Sequence, residues 1–218
     1  GEKMKSNHRA LAGIATLACL AFAGAAQAQQ SGFYVGVGIG QSKGTNVDAN
    51  DVSNFLREKG YTNVSTSADD RDTSYRLTGG YSFNSAVAVE ALYTDIGRFG
   101  TRSTVNNGTV SADYRAKGYG VDLVLSAPMN DQFSVFGRVG VLQAKTEADF
   151  RATGVVVLNA GRGSSTKTGQ HYGLGLQFNL SKEVALRAEV ERFRKLGDDS
   201  TGGELQADAY SLGAIFRF

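Results

Sequence analysis

A glycine-rich stretch, FYVGVGIGQSKGT at residues 33–45, is the first candidate for chemistry, because glycine loops close to a lysine and a threonine can bind phosphate. A dinucleotide fingerprint would need glycine at Gln41 or Lys43, and a P-loop would need the lysine after the glycine, whereas here Lys43 precedes Gly44. If the stretch is a β-strand, whose side chains alternate between two faces, the large apolar residues lie on one face, and Tyr34 and three glycines lie on the other. The stretch therefore predicts a strand with one nearly empty face and no nucleotide cofactor.

Catalysis and metal binding are the next possibilities. His171 is the only histidine beyond residue 8, and it could act as a base for a nearby serine. The serines considered are Ser74, Ser164 and Ser165. No spacing singles out a triad, so we predict that the chain is not an enzyme and that His171 is structural or exposed. The aspartates of the first long loop, Asp48, Asp51, Asp69, Asp70 and Asp72, lack calcium-loop spacing, which predicts solvated acids and no metal.

The first 28 residues have the pattern of a secretory signal peptide. Three basic residues come first, the uncharged run Leu11–Ala26 follows, and Ala26-Gln27-Ala28 is a small-x-small cleavage site. The run is roughly 16 residues, shorter than the ~20 that a spanning helix needs. A lipoprotein signal at Cys19 is the alternative. The predicted organisation is a signal peptide at 1–28 and one domain at 29–218.

Charge and cysteine content limit the function classes. The leader carries three of the 23 basic residues and one of the 21 acidic residues, so the rest of the chain has equal numbers of each. This balance gives no basic patch and predicts no nucleic-acid partner. The single cysteine lies in the leader, so an exported chain would have no disulfide.

Alternating apolar and polar residues recur in eight segments and predict strands. Turns after the second, fourth and sixth segments are short, whereas the other connections are long, at roughly 43–71, 97–111, 146–167 and 195–206. This is the pattern of an all-β, eight-stranded antiparallel up-and-down transmembrane β-barrel, with a soluble barrel as the alternative. The predicted strands are 32–42, 72–83, 86–96, 112–126, 132–145, 168–179, 183–194 and 207–218. The first long loop also contains DVSNFLREKG at 51–60, a possible short helix that ends at Gly60.

Ionisable residues fall on the inward face of these strands. Counted from the short turns, three arginines and three acids lie at similar height inside the barrel. They are Arg76, Glu90, Asp122, Arg138, Arg187 and Glu189. Buried charges are tolerated only when they are paired, so we predict a compensated network with Glu90–Arg187 as the leading pair. The glycines of the first strand would leave room for the long arginines.

The last strand, YSLGAIFRF, has Tyr210, Leu212, Phe216 and Phe218 on one face. A terminal aromatic residue on an alternating strand resembles the signal that the outer-membrane assembly machinery reads. Together with GYSFNSAVAVEALYTDIGR, YRAKGYGVDLVLSAPMND, FSVFGRVGV and VALRAEVE, the chain resembles the OmpA-like eight-stranded outer-membrane barrels, a group that includes surface antigens, without a peptidoglycan-binding domain.

The resemblance implies a function for the interior charges. In that family, interior charges are thought to gate a narrow path, and Glu90, Arg138 and Arg187 match its glutamate and two arginines. Val124 replaces the interior lysine and Gln177 replaces a second glutamate, which puts a switching gate in doubt. We therefore expect a monomer in the outer membrane of a Gram-negative bacterium, in contact with lipid and lipopolysaccharide. Its expected function is structural, with narrow solute passage at most. The alternative is a loop-mediated adhesin or surface antigen.

Overall fold

The computed structural model describes residues 31–45, 49–154, 161–196 and 205–218. Within these ranges it holds one α-helix, α1 (Ala49–Glu58), and nine β-strands. The strands are β1 (Gly32–Gly44), β2 (Ser65–Asp69), β3 (Arg71–Ser82), β4 (Val87–Val105), β5 (Gly108–Pro128), β6 (Phe133–Gly154), β7 (Gly161–Asn179), β8 (Val184–Leu196) and β9 (Leu205–Arg217).

Eight of these strands close into a ring. Starting from β1, the order is β1, β3, β4, β5, β6, β7, β8 and β9, with every neighbouring pair antiparallel, and β9 pairs with β1 again. The short β2 lies outside the ring and pairs with the outer end of β4, where Ser65 is opposite Thr104. The predicted antiparallel eight-stranded barrel is confirmed. Closure satisfies the backbone hydrogen bonds of every strand inside the ring, which is what a bilayer requires.

Each barrel strand has one exposed apolar face and one buried face. On β1, Phe33 and Ile39 are 68% and 55% exposed, whereas Tyr34 on the other face is 3% exposed. The same alternation runs round the ring, with Leu77, Val121 and Leu174 among the exposed residues. Apolar side chains turned outward on every strand are the pattern of a transmembrane barrel, which presents such a face to hydrocarbon. Five tyrosines share this outward face, where aromatic residues form girdles at the membrane interfaces of such barrels: Tyr75, Tyr81, Tyr93, Tyr119 and Tyr210.

Three tight connections define one end of the barrel. They span residues 83–86, 129–132 and 180–183. The side-chain oxygens of Asn84 and Asn130 each accept hydrogen bonds from two backbone N–H groups at 2.8–2.9 Å. The Ser181 hydroxyl does the same for the next turn and also donates to Glu183, which lowers the pKa of that carboxyl. Asparagine and serine fit here because their side chains replace the backbone partners that a tight turn lacks.

The opposite end is taller than the alternation predicted. Residues 97–111 were expected to form a loop, but β4 continues to Val105 and β5 starts at Gly108, so only Asn106 and Asn107 connect them. Asn107 takes the left-handed conformation that such a turn requires, with φ 61°. Likewise β6 continues to Gly154 and β7 starts at Gly161, so most of the predicted loop 146–167 is strand. The prediction is wrong here because a strand with polar residues on both faces keeps its hydrogen-bond ladder but loses its apolar alternation.

The first long connection carries α1 and β2. Leu56 of α1 is buried against Val105, and Val52, Tyr61 and Val64 pack round them. Gly60 follows the helix with φ 89° and ends it. The predicted short helix is confirmed, and it packs onto the outer part of β4 and onto its own loop, while Phe55 is exposed.

Some predictions fall on parts of the chain outside the described residues. These are the signal peptide at 1–28, Asp48 among the loop aspartates, segment 155–160 of the predicted loop 146–167, and segment 197–204 of the last long loop. Among the described residues, no helix has the length and apolarity needed to cross a membrane.

Candidate functional site: the barrel interior

The interior of the barrel is filled in three layers. A lower apolar layer lies next to the short turns and contains Tyr34, Ala88, Val124, Phe136, Ala185 and Ile215. An upper apolar layer contains Ile96, Phe99, Leu142, Phe193, Leu196 and several alanines. Between them lies a group of charged side chains that we call the interior ion cluster. It consists of Arg76, Glu90, Asp122, Arg138, His171, Arg187, Glu189 and Glu191.

Glu90 is the lowest carboxylate of the cluster and is completely buried. Its Oε1 lies 2.5 Å from Arg187 Nη1 and accepts a hydrogen bond of 2.7 Å from the Tyr34 hydroxyl. Arg187 also donates from Nε to Gln177 at 3.0 Å, and its guanidinium lies over the Phe136 ring at 4.9 Å. Arg187 is therefore held by a carboxylate, an amide and an aromatic face, which together replace the water it lost on burial.

Arg138 is the hub of the cluster. Its Nη1 lies 3.1 Å from Glu90 Oε2 and 3.0 Å from Asp122 Oδ2. On the other edge of the guanidinium, Nε and Nη2 lie 3.1 Å and 3.2 Å from the two oxygens of Glu189. The planar fork of an arginine can satisfy several carboxylates at once, which a lysine cannot do. Removing this one residue would leave three buried carboxylates short of a partner.

The upper edge of the cluster is formed by Arg76, Glu191 and His171. Arg76 lies 3.2 Å from Glu189 and 2.5 Å from Glu191. His171 has no exposed surface and stacks on Phe193, with ring centroids 5.2 Å apart and planes 7° from parallel. Its Nε2 lies 2.7 Å from Asp122, and its Nδ1 lies 3.5 Å from Glu191.

Inward-facing glycines let these side chains meet. Gly80 of β3 stands between Tyr34 and Glu90 in the register, and a Cβ there would lie 2.4 Å from the Tyr34 ring. Gly140 of β6 stands between Asp122 and His171, and a Cβ there would collide with both side chains. At these two positions, the side chains on either side of the glycine meet because the strand between them carries no side chain there. The interior glycines are therefore gaps that the ion cluster fills.

The first strand has the same feature. A Cβ at Gly36 would lie 2.5 Å from both Ile215 and Thr78, and a Cβ at Gly40 would collide with the backbone of β9. Gly38 borders two small cavities of about 10 Å³ each, next to Arg76 and the other arginines. Such a volume holds about one water molecule. The glycine face of the opening stretch is thus an inner wall of the barrel.

All six residues selected from the sequence lie in this cluster. Sequence reasoning omitted two of its members, Glu191 and His171. Both could have been found from the alternation of side chains along a strand. Glu191 is two residues after Glu189 on β8, and His171 is six residues before Gln177 on β7, so each lies on the same face as its strand-mate. His171 is therefore interior and buried, not exposed. Among the described residues, neither of its ring nitrogens is hydrogen bonded to a serine.

The four residues of the candidate assembly signal lie elsewhere, on the outside of β9. Tyr210, Leu212 and Phe216 share its outward face and are 59%, 67% and 45% exposed, and Phe218 follows the strand at 86% exposure. Their side chains form an apolar ridge beside β1 and β8.

The interior ion cluster is a set of paired charges inside a filled barrel. Its ionised groups are buried, paired with opposite charges and closed off by apolar layers above and below. An eight-stranded barrel is just wide enough to be filled by side chains, and these side chains fill it. Arg217 lies near the lower opening, where it donates to Asn179 and to the backbone oxygen of Lys182.

Comparison with known proteins agrees with this geometry. Outer membrane protein A of Escherichia coli O157:H7 is 25% identical over 96% of this chain and 52% of its own length. That of Shigella dysenteriae is 31% identical over 64% of this chain and 38% of its own length. The chain therefore spans about half or less of the length of these relatives.

Among solved structures, Neisserial surface protein A has a TM-score of 0.55 at 15% identity, covering 86% of this chain and 98% of its own, which shows a shared fold. The family model described as "Outer membrane protein beta-barrel domain" matches residues 12–218. An exposed apolar band, a closed ring of strands and this match lead to one conclusion: the chain belongs to the outer-membrane protein β-barrel domain family, of the OmpA-like kind, in the outer membrane of a Gram-negative bacterium.

Proposed function

We propose that the protein is a structural barrel of the envelope whose interior is closed to solutes. The observation that carries this proposal is the layered interior, in which the ion cluster lies between two apolar layers. A solute would have to break several buried ion pairs and also displace Phe136 below and Phe193 above. The residue changes that distinguish this chain from the OmpA-like gate support closure as well. Val124 belongs to the lower apolar layer, and Gln177 offers Arg187 an amide in place of a second carboxylate.

Single-channel conductance of the refolded full chain in a planar bilayer tests this proposal. We expect no discrete openings from the wild type or from Glu90→Ala. Glu147→Ala is the matched control, because Glu147 pairs with Lys145 on the outside of β6 and both side chains are more than half exposed. A heat-modifiable band on a gel establishes that each protein is folded. Discrete wild-type openings that change with Glu90→Ala but not with Glu147→Ala would make the cluster a gate and overturn the proposal.

A second candidate function, surface binding, is supported by the tall end of the barrel. Strands β4 to β7 have 19 to 22 residues, whereas β1, β3, β8 and β9 have 12 or 13. At about 3.3 Å per residue and the tilt of barrel strands, the paired extension beyond Gly97 and Ala116 projects by roughly 20 Å. A rigid wall of this kind, with α1 packed against it, could present an adhesive or antigenic surface.

Shortening the wall without changing its register tests surface binding. Residues 101–104 pair with residues 109–112, so deleting both segments keeps the turn and the other β4–β5 pairs, while residues 65–68 of β2 and 150–153 of β6 lose the partners that they have in the full chain. If the wall is adhesive, cells that carry the shortened protein should adhere less to an epithelial monolayer than cells with the full chain. Glu90→Ala should not change adhesion. Equal adhesion of the shortened and full-length proteins would refute this candidate.

The outer surface of the barrel indicates its binding partners. We propose that lipid and lipopolysaccharide surround the apolar band and that the barrel works as a monomer. We also propose that the assembly machinery recognises the apolar ridge on β9, which consists of Tyr210, Leu212, Phe216 and Phe218. The support is the position of that ridge on the outer face of the strand that closes the ring with β1. Phe216→Ser should reduce assembly in cells more than Phe178→Ser, an aromatic change on another strand, as measured by the amount of heat-modifiable barrel.

A further inference from the structure

When all four of its carboxylates are ionised, the charges of the interior ion cluster balance only if His171 carries a proton on both ring nitrogens. Four carboxylates, those of Glu90, Asp122, Glu189 and Glu191, face the guanidinium groups of Arg76, Arg138 and Arg187. With ionised carboxylates and a neutral histidine, the cluster would carry one net negative charge between two apolar layers. A buried uncompensated charge is among the most costly features that a fold can contain.

The position of His171 addresses this imbalance. One ring nitrogen lies 2.7 Å from Asp122 Oδ1 and the other lies 3.5 Å from Glu191 Oε1. Among the described residues, neither of those two oxygens accepts a hydrogen bond from another group. A neutral imidazole has one N–H and one lone pair, so one of the two carboxylates would face a lone pair. An imidazolium carries an N–H at both nitrogens and suits both carboxylates.

We propose that His171 is a proton-binding site in the barrel interior, and that its proton supplies the fourth cation of the cluster. The site is built by four neighbouring strands, with Asp122 on β5, the gap at Gly140 on β6, His171 on β7 and Glu191 on β8. The stack on Phe193 fixes the plane of the ring, and within that plane its two nitrogens lie close to one carboxylate each.

The charged groups around this site come from every neighbouring strand. Asp122 faces it from β5 and Glu191 from β8, and Arg138 of β6 contacts the same two carboxylates from the other side. Arg76 of β3 pairs with Glu191, while Glu90 of β4 and Glu189 of β8 bind Arg138. The nearest cation is therefore separated from the ring by two carboxylates, and the surroundings favour the charged imidazole.

The proposal makes the closure of the barrel depend on pH. The stabilising contribution of the proton is present at low and neutral pH and is lost as the pH rises until His171 deprotonates. Above that pH, Asp122 and Glu191 face each other across a neutral ring, and the cluster loosens. This effect on closure depends on the proposed closed-barrel function, whereas the protonation state of His171 does not.

Nitrogen NMR of the full chain in detergent micelles tests the protonation state directly. The chain has two histidines, His8 and His171, so the His8→Gln variant leaves one ring to observe. We expect two protonated ring nitrogens with similar chemical shifts at neutral pH. Widely separated shifts, which mark one protonated and one bare nitrogen, would overturn the proposal. The outcome is independent of whether the barrel conducts.

Charge balance gives a second measurement. In Asp122→Asn, the three remaining carboxylates match the three arginines, so the same spectrum should show a neutral ring at neutral pH. A doubly protonated ring in this variant would contradict the charge-balance argument. In urea unfolding of the folded barrel, His171→Gln should lose the fall in midpoint that the wild type shows as the pH rises above neutral. The double variant Asp122→Asn/His171→Gln should recover part of the midpoint lost by His171→Gln at neutral pH. An identical pH profile for wild type and His171→Gln would refute the coupling to stability.

Discussion

Two adjacent glycines of β3 provide a strict test of the role given to the interior gaps. Gly79 faces outward, and a Cβ there would meet nothing within 4 Å, whereas a Cβ at Gly80 would lie 2.4 Å from the Tyr34 ring and 2.6 Å from its hydroxyl oxygen. Gly80→Ala must therefore displace Tyr34 and break its 2.7 Å hydrogen bond to Glu90. Overpacking costs about 1–3 kcal/mol, and a hydrogen bond to a charged group contributes about 1.5–3 kcal/mol. The two costs add, so we expect the free energy of unfolding to fall by about 2.5–6 kcal/mol.

Gly79→Ala is the matched control, because it makes the same change one residue away on the same strand. Removing a strand glycine reduces the entropy of the unfolded chain, so this variant should be unchanged or more stable by up to about 1 kcal/mol. Both variants can be compared with the wild type by urea unfolding in lipid vesicles, followed by Tyr fluorescence and by the heat-modifiable band. Equal stability of Gly79→Ala and Gly80→Ala would show that the interior has room at this level and would refute the close packing of the cluster.

Three further predictions follow from burial and from the turns. In the same urea assay, Glu90→Gln should lower the free energy of unfolding by about 3–5 kcal/mol, because it leaves buried arginines without their counter-charge. Glu147→Gln, on the exposed face, should change the free energy of unfolding by less than about 1 kcal/mol. Leu56→Ala should speed hydrogen exchange and proteolysis of α1, because Leu56 is only 2% exposed and its side chain packs the helix onto the barrel. Phe55→Ala is the control and should have little effect, because Phe55 is 49% exposed. Equal protection of the two variants would contradict the packing of the helix. Asn130→Ala should cost about 1 kcal/mol, because two turn N–H groups lose their acceptor, and an unchanged urea midpoint would contradict the role of that side chain.

The interior position of the ion cluster could be read from the sequence because the side-chain period of a strand is two. Once Val89 and Ala91 face lipid, Glu90 must face the lumen, and the same step places Arg138 and Arg187 inside. The short turns gave the approximate height of each interior residue in the barrel, since residues along a strand can be counted from the turn that precedes or follows it. The sequence therefore predicted that Glu90 and Arg187 lie at similar height and can form a pair. The same alternation applies to His171 and Glu191, but the expectation for His171 stayed open between structural and exposed, because its strand, β7, has no large apolar residue before Tyr172 to mark its outward face.

The upper half of the barrel was the part that alternation could not reveal. In the membrane, one face meets hydrocarbon and the other meets the lumen, so hydrophobicity alternates along the strand. Above the membrane, the outward face meets water, and residues such as Thr101 and Arg102 carry no alternation. Backbone pairing nevertheless continues to Val105 and Gly108, because β5 provides a partner for every residue of β4 except Ile96, where the register shifts.

The sequence by itself determined the strand faces, the short turns, the buried charges and hence a closed barrel with an apolar outside, because these depend on local period and turn chemistry. The tertiary structure decided which charges meet. Asp122 and His171 are 49 positions apart and reach each other only because the register sets both opposite Gly140. Register and stagger are properties of the closed ring as a whole, so the contacts that balance the interior charges exist only after all eight strands have paired.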